Sequence, residues 1–532
     1  MIMNFYKILI VILLLSTAKL YAQKPNIIII MADDMGYSDI GSFGSEIATP
    51  NLDKLAAGGL TMTQFYNASR CCPSRASLLT GLYPHQAGMG DMVDAKPAPG
   101  YQGYLNKNSV TIAEVLRSNG YRTYMSGKWH VGQKYENWPL QGGFDEYYGL
   151  IDGASSYFNP TTPYRPNQKL KLVKDNTLIS SEENWYATDA YTNEAINYIT
   201  ANTEKDKKPF FLYLAYTSPH WPLNALQEDI RKYRGNYKKT GWDELRKQRL
   251  KKMVSLGILP KETRLSPRDA AIPAWDEISD EEKDKWDAEM SVYAAMVDRM
   301  DQNIGKVLLA LEKSGQRDNT IIFFLSDNGA SHEEISGGFL PEILQASKKP
   351  SYDHTSFTAY GRAGANVSNT PFSSYKHWQQ EGGISTPLIV SYPGLISNGF
   401  INHQPAHIID LMPTCLELAQ ATYPTQFEGN NITATPGISL LPLIKNQQWK
   451  GHSEIYFEHE GNKAVRQGKW KLVATFPEQK WKLYDMESDR TEQFDLSASH
   501  KKQVAIMDKL YVQWAEKSGV VPFEQFKKPG SN

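Results

Sequence analysis

The sequence predicts an α/β fold: a large mixed, mostly parallel sheet flanked by helices, with a smaller C-terminal α+β subdomain of antiparallel strands and one helix. Two observations predict this fold. Continuous runs of β-branched and aromatic residues are typical of strands that are covered on both faces, as in a parallel sheet. After about residue 425 the pattern changes to short strands separated by turn residues, which is typical of a small antiparallel sheet.

The chain begins with the pattern of a secretory signal peptide, from Met1 to Ala22. Lys7 precedes an apolar run that extends from Ile8 to Leu15, and small residues lead to a predicted cleavage after Ala22. The run is too short to cross a bilayer, and no other stretch approaches the roughly 20 apolar residues that a crossing requires. We therefore expect an exported protein, periplasmic or secreted, without a membrane anchor.

Composition limits the classes of function. The 532 residues suit one large and one smaller unit, and 41% hydrophobic and 22% charged residues are ordinary for a soluble enzyme. A net charge of −1 gives no basis for nucleic acid as a partner. The only cysteines are Cys71, Cys72 and Cys415, an odd and low count that excludes a disulfide scaffold.

Four apolar runs lead into short polar loops. The runs and the side chains that follow them are 26–31 with Asp33 and Asp34, 122–126 with Lys128 and His130, 210–214 with His220, and 320–325 with Asp327 and Asn328. Because open α/β sheets bind ligands beyond the carboxyl ends of their strands, we expect these side chains to converge at one edge. The sequence therefore predicts a functional site at this edge of the sheet.

Helices are predicted in the intervals. Thr111-Ile112-Ala113-Glu114 is a capping box, and the helix that it opens should end near Gly120. Apolar residues recur every three or four positions over 290–311, which predicts a long amphipathic helix whose methionines pack in the core. Pro73 suits the first turn of a further helix that starts at the cysteine pair.

Two segments interrupt this alternation. The segment from Arg231 to Lys252 carries ten Lys or Arg against two acids. This favours a solvated helical insertion, and the alternative is a basic rim near His220 that attracts a polyanionic substrate. Residues 330–375 form a long polar loop, a kind that is often functional in a compact domain, and it ends at Lys376 before a further buried strand at 388–390.

The C-terminal strands are predicted at 455–457, 463–466, 470–474 and 481–484, with a helix at roughly 501–517. These elements lead us to divide the chain into a signal peptide, 1–22, a large catalytic domain, 23–425, and a C-terminal subdomain, 426–532.

The run from 71 to 81 reads Cys-Cys-Pro-Ser-Arg-Ala-Ser-Leu-Leu-Thr-Gly. It resembles the Cys-x-Pro-Ser-Arg-x-x-x-Leu-Thr-Gly signature of type I sulfatases, which a maturing enzyme reads to oxidise the first cysteine to formylglycine (3-oxoalanine). The spacing to Pro73 and Arg75 places that cysteine at Cys71 and not at Cys72. The other two cysteines are then expected to be small apolar residues.

Further blocks resemble the same family over nearly the whole mature chain. They are 25–36, 49–53, 127–132, 219–220, 326–329, Lys376 with 381–383, and 481–485. The resemblance is to arylsulfatase-like members of the alkaline phosphatase superfamily, and it implies a sheet of the alkaline-phosphatase type. It also implies a formylglycine-generating enzyme as a partner before folding.

A divalent metal site is predicted from four side chains: Asp33, Asp34, Asp327 and Asn328. All four offer hard oxygen ligands, which suit Ca²⁺ or Mg²⁺ and not zinc. The resemblance implies that formylglycine at Cys71 also touches the metal. We expect one Ca²⁺ per chain.

The resemblance assigns roles to the remaining side chains. Lys128 and Lys376 would hold the sulfate, and Arg75 and His130 would orient and deprotonate the hydrated formylglycine. One hydroxyl of that gem-diol would attack sulfur, and loss of the proton from the other would then expel sulfate. His220 would protonate or hydrogen-bond the departing alcohol oxygen. His85 is interpreted as structural, and the role of His377 stays open.

The predicted function is therefore hydrolysis of sulfuric esters on carbohydrates, such as oligosaccharides from a sulfated polysaccharide. The sequence leaves open which sugar and which carbon carry the sulfate. Two alternatives remain at this stage. One is a phosphatase or phosphonate hydrolase of the same superfamily, although the metal motifs lack the histidines of a two-zinc site. The other is a catalytically silent glycan-binding protein, if Cys71 is never oxidised.

Overall fold

The computed structural model describes residues 24–205 and 208–526. The predicted signal peptide lies outside the described residues, so export stays a prediction. Within the described ranges, no helix is both long enough and apolar enough to cross a membrane.

The large sheet is mixed, as predicted, and has eleven strands in the described chain. They are β1 Asn26–Ala32, β2 Leu60–Tyr66, β3 Arg122–Gly127, β4 Glu146–Leu150, β5 Leu172–Lys174, β6 Thr177–Leu178, β7 Phe210–Ala215, β8 Thr320–Ser326, β9 Ser385–Ser391, β10 Phe400–Asn402 and β11 Ala406–His407. The order is β10-β2-β9-β8-β1-β7-β3-β4-β5-β6, and β11 pairs with β2. The run from β8 to β4 is parallel, whereas β9 is antiparallel to both β2 and β8.

Helices flank this sheet. They are α1 Pro50–Ala57, α2 Cys71–Thr80, α3 Ile112–Ser118, α4 Ala187–Lys205, α5 Gln227–Tyr233, α6 Asn236–Thr240, α7 Trp242–Ser255, α8 Asp280–Lys313, α9 Pro341–Ala346, α10 Gly361–Ser368, α11 Glu381–Ile384, α12 Leu411–Leu418, α13 Leu441–Ile444 and α14 Lys501–Ser518. The predicted capping box opens α3, because Thr111 Oγ1 accepts from the Glu114 backbone N–H at 3.0 Å while Glu114 accepts from that of Thr111 at 2.7 Å.

The apolar runs are continuous because both faces of the sheet are buried. In β1, Ile28 and Ile30 pack into a core with the long helix α8, whereas Ile27 and Ile29 pack into a second core with α2 and α3. All seven residues of the strand are buried. A strand between two cores has no polar face, so its sequence shows no alternation.

The predicted polar loop at 330–375 is not wholly irregular. It contains the short helices α9 and α10, and its later part is packed against the core through Tyr360, Ala365 and Val367. The side chains of these residues supply the apolar contacts that a solvated loop would lack.

The basic segment from Arg231 to Lys252 is helical, as predicted, but it is not simply a solvated face. Arg249 is buried, and its guanidinium lies 2.7 Å from Asp39 Oδ1 and 2.8 Å from Glu46 Oε1. Arg246 is also buried and donates to the Ser266 carbonyl at 2.9 Å. No residue of this segment lines the cavity beside His220 that the described residues form, so the structure does not support the alternative of a basic rim there.

Replacing Arg249 by alanine should therefore cost stability. The change leaves the carboxylates of Asp39 and Glu46 without their shared cation, and breaking a buried ion pair in this way costs about 3–5 kcal/mol. Urea unfolding of the purified protein measures the loss. The matched control is Lys247→Ala in the same helix, since Lys247 is 66% exposed and should contribute little. Equal losses for the two variants would contradict the buried-pair account.

The C-terminal subdomain contains the antiparallel sheet β14 Glu454–His459, β15 Asn462–Gln467, β16 Trp470–Ala474 and β17 Lys482–Asp485, packed with α14. A small hairpin, β12 Gln426–Phe427 and β13 Asn430–Asn431, precedes it. A buried ion network joins this sheet to the large domain, because Lys471 Nζ lies 2.9 Å from both Glu381 and Glu492. Glu381 lies in α11, just after Lys376, so the same segment carries a predicted site residue and the anchor of the C-terminal sheet. The boundary at 425 stays a prediction.

Candidate active site

The structure brings the predicted side chains together at the carboxyl edge of the sheet. The strands β8, β1, β7 and β3 are neighbours, and their loops supply the groups expected from the sequence. Asp34 has a left-handed backbone with φ 65°, a conformation for which Asp is enriched. This turn presents two consecutive carboxylates, Asp33 and Asp34, to the loops after the adjacent strands.

Cys71 is the first residue of α2 and is only 2% exposed. Its sulfur, that of Cys72 and a ring nitrogen of His130 all lie within 4.8 Å of one another. A hydrogen bond from Cys72, together with the charges of Lys128 and Lys376 and against the effect of burial, lowers the pKa of the Cys71 thiol well below its usual value. Position 71 is therefore an environment that stabilises negative charge, as expected at a helix N-terminus with cations beside it.

His130 is held against Cys71 by an unusual backbone. Its φ of 57° is left-handed, and a Cβ at Gly153 would lie only 2.3 Å from the imidazole ring. A glycine at 153 is therefore what leaves room for the ring. Burial lowers the pKa of His130 to about 4, so the ring is neutral at physiological pH and can accept a proton.

Arg75 and Lys128 are fully buried and hold two of the predicted metal ligands. The Arg75 guanidinium donates to Asp327 Oδ2 at 2.8 and 3.2 Å, and Lys128 Nζ lies 2.6 Å from Asp33 Oδ2. Arg75 also donates to the Lys128 carbonyl at 3.1 Å. These contacts join the helix of Cys71 to the loops after β1, β3 and β8.

Lys376 and His220 lie together on the other side of Asp34. Lys376 Nζ is 2.9 Å from Asp34 Oδ2 and 3.4 Å from His220 Nε2. His220 Nδ1 donates to the Trp221 carbonyl at 2.6 Å, which leaves Nε2 as the nitrogen that faces the site. Burial lowers the pKa of His220 to about 4, although Asp34 acts in the opposite direction.

The four predicted metal ligands fit a hard divalent cation. They come from the loops after the paired strands β1 and β8, and Asp34 N–H donates to Asp327 Oδ1 at 3.2 Å. Within the described chain, the buried atoms Asp33 Oδ1 and Asn328 Oδ1 have no hydrogen-bond partner. Burial raises the pKa of Asp33, and burial together with the charge of Asp33 raises that of Asp327 to about 8. Unpartnered oxygens and crowded carboxylates are what a bound cation would satisfy.

The site opens into a cavity of 730 Å³ that sequence reasoning did not identify. Glu333 is the main residue that it missed: its carboxylate lies 2.8 Å from Arg70 Nη1, 2.8 Å from Trp221 Nε1 and 3.4 Å from Lys376 Nζ. Against the effect of burial, Lys376 and Arg70 hold the pKa of Glu333 well below its usual value. Its position in the polar loop after β8 was the available signal. Neither Glu333 nor its partner Arg70 belongs to a sequence motif that would identify it as a site residue.

The remaining predicted positions lie outside this cavity. His85 Nε2 is 2.7 Å from Glu458 in the C-terminal sheet, a contact that suits the structural interpretation. His377 Nδ1 lies 3.1 Å from Glu460, and its Nε2 accepts from Asn462 at 3.1 Å, so it too contacts the C-terminal sheet. Cys72 and Cys415 are buried in the core on the α2 face, as expected.

Comparisons with known proteins agree with this architecture. A family model described as Sulfatase matches residues 25–421, and one described as N-sulphoglucosamine sulphohydrolase, C-terminal, matches residues 374–518. An uncharacterized sulfatase of Schizosaccharomyces pombe is 35% identical, over 94% of this chain and 95% of that protein. An arylsulfatase of Klebsiella aerogenes is 36% identical, over 75% of this chain and 87% of that protein. The structure of Ps i-CgsB, solved in complex with k-i-k-neocarrahexaose, has a TM-score of 0.68 and 29% identity, with 94% of each chain covered.

Proposed function

This chain belongs to the sulfatase family and is a sulfuric ester hydrolase, and from that premise we propose that it removes O-sulfate from sulfated carbohydrates. We further propose that it uses a formylglycine made from Cys71 and one Ca²⁺ ion. The observation that carries the proposal is the position of Cys71, at the start of α2 and beside Lys128, Lys376 and His130.

The nucleophile is assigned to residue 71. A hydrated aldehyde there has two hydroxyls, one that attacks sulfur and one whose deprotonation lets the sulfated intermediate expel sulfate. The neutral ring of His130 lies against this residue and accepts a proton. Cys71 is almost completely buried in the folded chain, which supports oxidation by a maturing enzyme before folding.

Two lysines stabilise the negative charge of the sulfate group. Lys128 and Lys376 lie on either side of the Asp33–Asp34 turn and stabilise the negative oxygens of the ester as the bond to the alcohol breaks. Arg75 holds Asp327 in position and acts through it. Glu333 restrains Lys376 and Arg70, and we assign it a positioning role.

The metal is assigned to Asp33, Asp34, Asp327 and Asn328, with residue 71 beside them. A bound Ca²⁺ would add positive charge next to the attacking oxygen and lower its pKa. The set consists of oxygen ligands, and Asp33 Oδ1 and Asn328 Oδ1, which accept no hydrogen bond within the described chain, support a hard cation there.

The carbohydrate substrate is supported by the cavity and by the relatives. The cavity is lined largely by polar groups and is larger than a sulfate ester alone requires. Ps i-CgsB was solved in complex with k-i-k-neocarrahexaose, and an N-acetylgalactosamine-6-sulfatase of Mus musculus is 28% identical over 84% of this chain and 72% of that protein. We propose export to the periplasm, where oligosaccharides released from a polysaccharide would reach the enzyme.

Two measurements test the proposal. The peptide that contains residue 71 should be about 18 Da lighter than its unmodified form when cysteine is converted to formylglycine. A panel of defined sulfated mono- and oligosaccharides, assayed beside matched phosphate esters, should show turnover of the sulfates. An unmodified, inactive protein that still binds glycans, or a preference for the phosphate esters, would reject the proposal.

His220 and Lys376 should respond differently to the leaving group. Lys376 holds sulfate whatever the alcohol, so Lys376→Ala should slow aryl and sugar sulfates alike. A poorly acidic sugar hydroxyl needs a proton as the S–O bond breaks. His220→Ala should therefore lower kcat/KM for the sugar sulfate by a factor at least about tenfold larger than for the aryl sulfate. The values of kcat/KM for both variants on both substrates measure this. Equal losses for His220→Ala would make His220 a sulfate-binding group instead.

A further inference from the structure

A wall of aromatic side chains leads from His220 to the outer part of the cavity. The rings of His220 and Trp221 lie 4.6 Å apart, and those of Trp221 and Tyr164 lie 5.6 Å apart. The guanidinium of Arg165 is 5.8 Å from the Tyr164 ring and 5.3 Å from that of Phe339. Trp221, Tyr164 and Arg165 all line the cavity that contains Cys71.

The loop that carries Arg165 is held at both ends. Tyr164 and Leu170 are buried in one apolar cluster with Trp221, and the Tyr164 carbonyl accepts from the Leu340 backbone at 3.0 Å. The side-chain oxygen of Gln168 closes the turn by accepting from the backbone N–H groups of Tyr164 and Arg165 at 3.0 and 3.2 Å. The cations on this loop are therefore presented from an ordered turn.

Two cations of this loop have no acidic partner among the residues that the structure describes. Arg165 and Lys169 are exposed in the cavity lining, and in the described chain neither forms an ion pair, whereas Lys171 lies 3.5 Å from Asp152. The deeper cations differ, since Arg70 is paired with Glu333 and Lys376 with Asp34. One exposed carboxylate, Asp94, also lines the cavity and is unpaired in the described chain. As far as the described residues show, the outer cavity therefore carries two uncompensated positive charges against one negative.

We propose that Arg165 and Lys169 form a second anion subsite, which binds a further sulfate of an oligosaccharide whose scissile sulfate lies at Cys71. The inference rests on the proposed function and deepens it by defining the substrate as multiply sulfated. Trp221 and Tyr164 are mostly buried, and the apolar edges that they contribute to the cavity lining can contact the intervening sugar rings. The Arg165 guanidinium is stacked on aromatic rings, which restricts its rotamers before an anion binds.

The geometry also explains why this subsite would favour a separate anionic group. Two aromatic rings, those of Trp221 and Tyr164, separate the Arg165 guanidinium from His220 at the reacting centre. Glu333 accepts from Trp221 Nε1 at 2.8 Å and is paired with Arg70 and Lys376, so its charge is compensated by the cations of the reacting centre. A substrate whose sulfates lie on different sugar rings could place one beside Cys71 and another at Arg165, at the two ends of the aromatic wall.

The test compares tetrasaccharides of one backbone that carry either one or three sulfates, as competitive inhibitors of 4-nitrophenyl sulfate hydrolysis by the mature protein. The readout is the ratio of the two inhibition constants. The wild-type protein should bind the trisulfated form at least tenfold more tightly. Arg165→Gln and Lys169→Gln should each reduce this ratio by roughly threefold to fivefold, because an exposed ion pair contributes little more. The double variant should reduce the ratio further, and Asp94→Asn should increase it.

Lys239→Gln is the matched control, because Lys239 is an exposed lysine outside the cavity lining, and it should keep the wild-type ratio. A wild-type ratio near one would overturn the subsite. An unchanged ratio in the double variant would do the same, as would a decrease of the ratio in Lys239→Gln equal to that in Arg165→Gln or Lys169→Gln. The proposed function fails separately: it is rejected if the wild-type protein hydrolyses no sulfate ester, and the subsite is then tested by the ratio of the dissociation constants of the two tetrasaccharides.

Discussion

Replacing Cys71 by alanine should lower kcat/KM for every sulfate ester by roughly 10⁴-fold or more, because removal of a covalent nucleophile leaves only binding and electrostatic stabilisation. Cys71→Ser, made in a host that oxidises only cysteine, should be as inactive in steady state. A serine could be sulfated once, but it lacks the second hydroxyl whose deprotonation expels sulfate. Turnover of an aryl sulfate and of a sugar sulfate measures both variants.

Cys72→Ala is the matched control for this experiment. Cys72 is fully buried in the core on the α2 face and is not among the cavity-lining residues, so truncation to alanine removes one sulfur atom and its hydrogen bond to Cys71 but no lining side chain. It should keep most of the activity and the mass loss at residue 71. Thermal unfolding of all three variants separates loss of chemistry from loss of folding. An inactive Cys72→Ala beside an active Cys71→Ala would show that the register of the motif is wrong.

Asp327→Ala should lose one divalent cation per chain and activity together. The carboxylate is one of three in the predicted set, and a site with fewer carboxylates cannot offset dehydration of the ion. We expect kcat/KM to fall by at least roughly 10²-fold, the range that follows removal of one electrostatic group from a reacting centre. Because Asp327 also accepts from Arg75 at 2.8 Å, Asp327→Asn keeps the shape and should show the same loss of metal.

Elemental analysis of the purified proteins decides this prediction. The control is Asp318→Asn, since Asp318 is exposed just before β8, at the opposite end of the strand from Asp327. It should keep both metal and activity. One calcium per wild-type chain is the expected result. Two zinc ions per chain would contradict the oxygen-ligand site and favour the phosphatase alternative, and metal retained in both Asp327 variants would remove Asp327 from the ligand set.

The sequence predicted most of the site because each strand end is a local signal. The apolar run 320–325, for example, is followed by Asp327 and Asn328. The run identifies the strand, and its end identifies the side chains in the loop that follows. The rule that parallel strands present their carboxyl ends at one edge then brings distant residues together without coordinates. Cys71 and Arg75 were identified by a motif of fixed spacing, which is more specific than any single strand end.

The same reasoning predicted a helical segment from Arg231 to Lys252 but missed that two of its arginines are buried, and the cause is physical. Its charge count is that of a solvated helix, but Arg249 is buried by Asp39 and Glu46, which lie some 200 residues away in sequence. A cation that is buried by distant carboxylates has no local signature. Glu333 escaped notice for a similar reason, since its partners Arg70, Trp221 and Lys376 come from three other segments.

The sequence by itself determined which side chains follow the strands at the carboxyl edge of the sheet. It also determined which cysteine fits the motif. Periodicity and spacing along the chain are enough for this, because strand ends and helix starts are set by near neighbours. Only the tertiary structure decided which cations are compensated. Arg249 and Arg70 are paired with acids, whereas Arg165 and Lys169 have no acidic partner among residues 24–205 and 208–526. That difference depends on distances between segments, which sequence spacing does not encode.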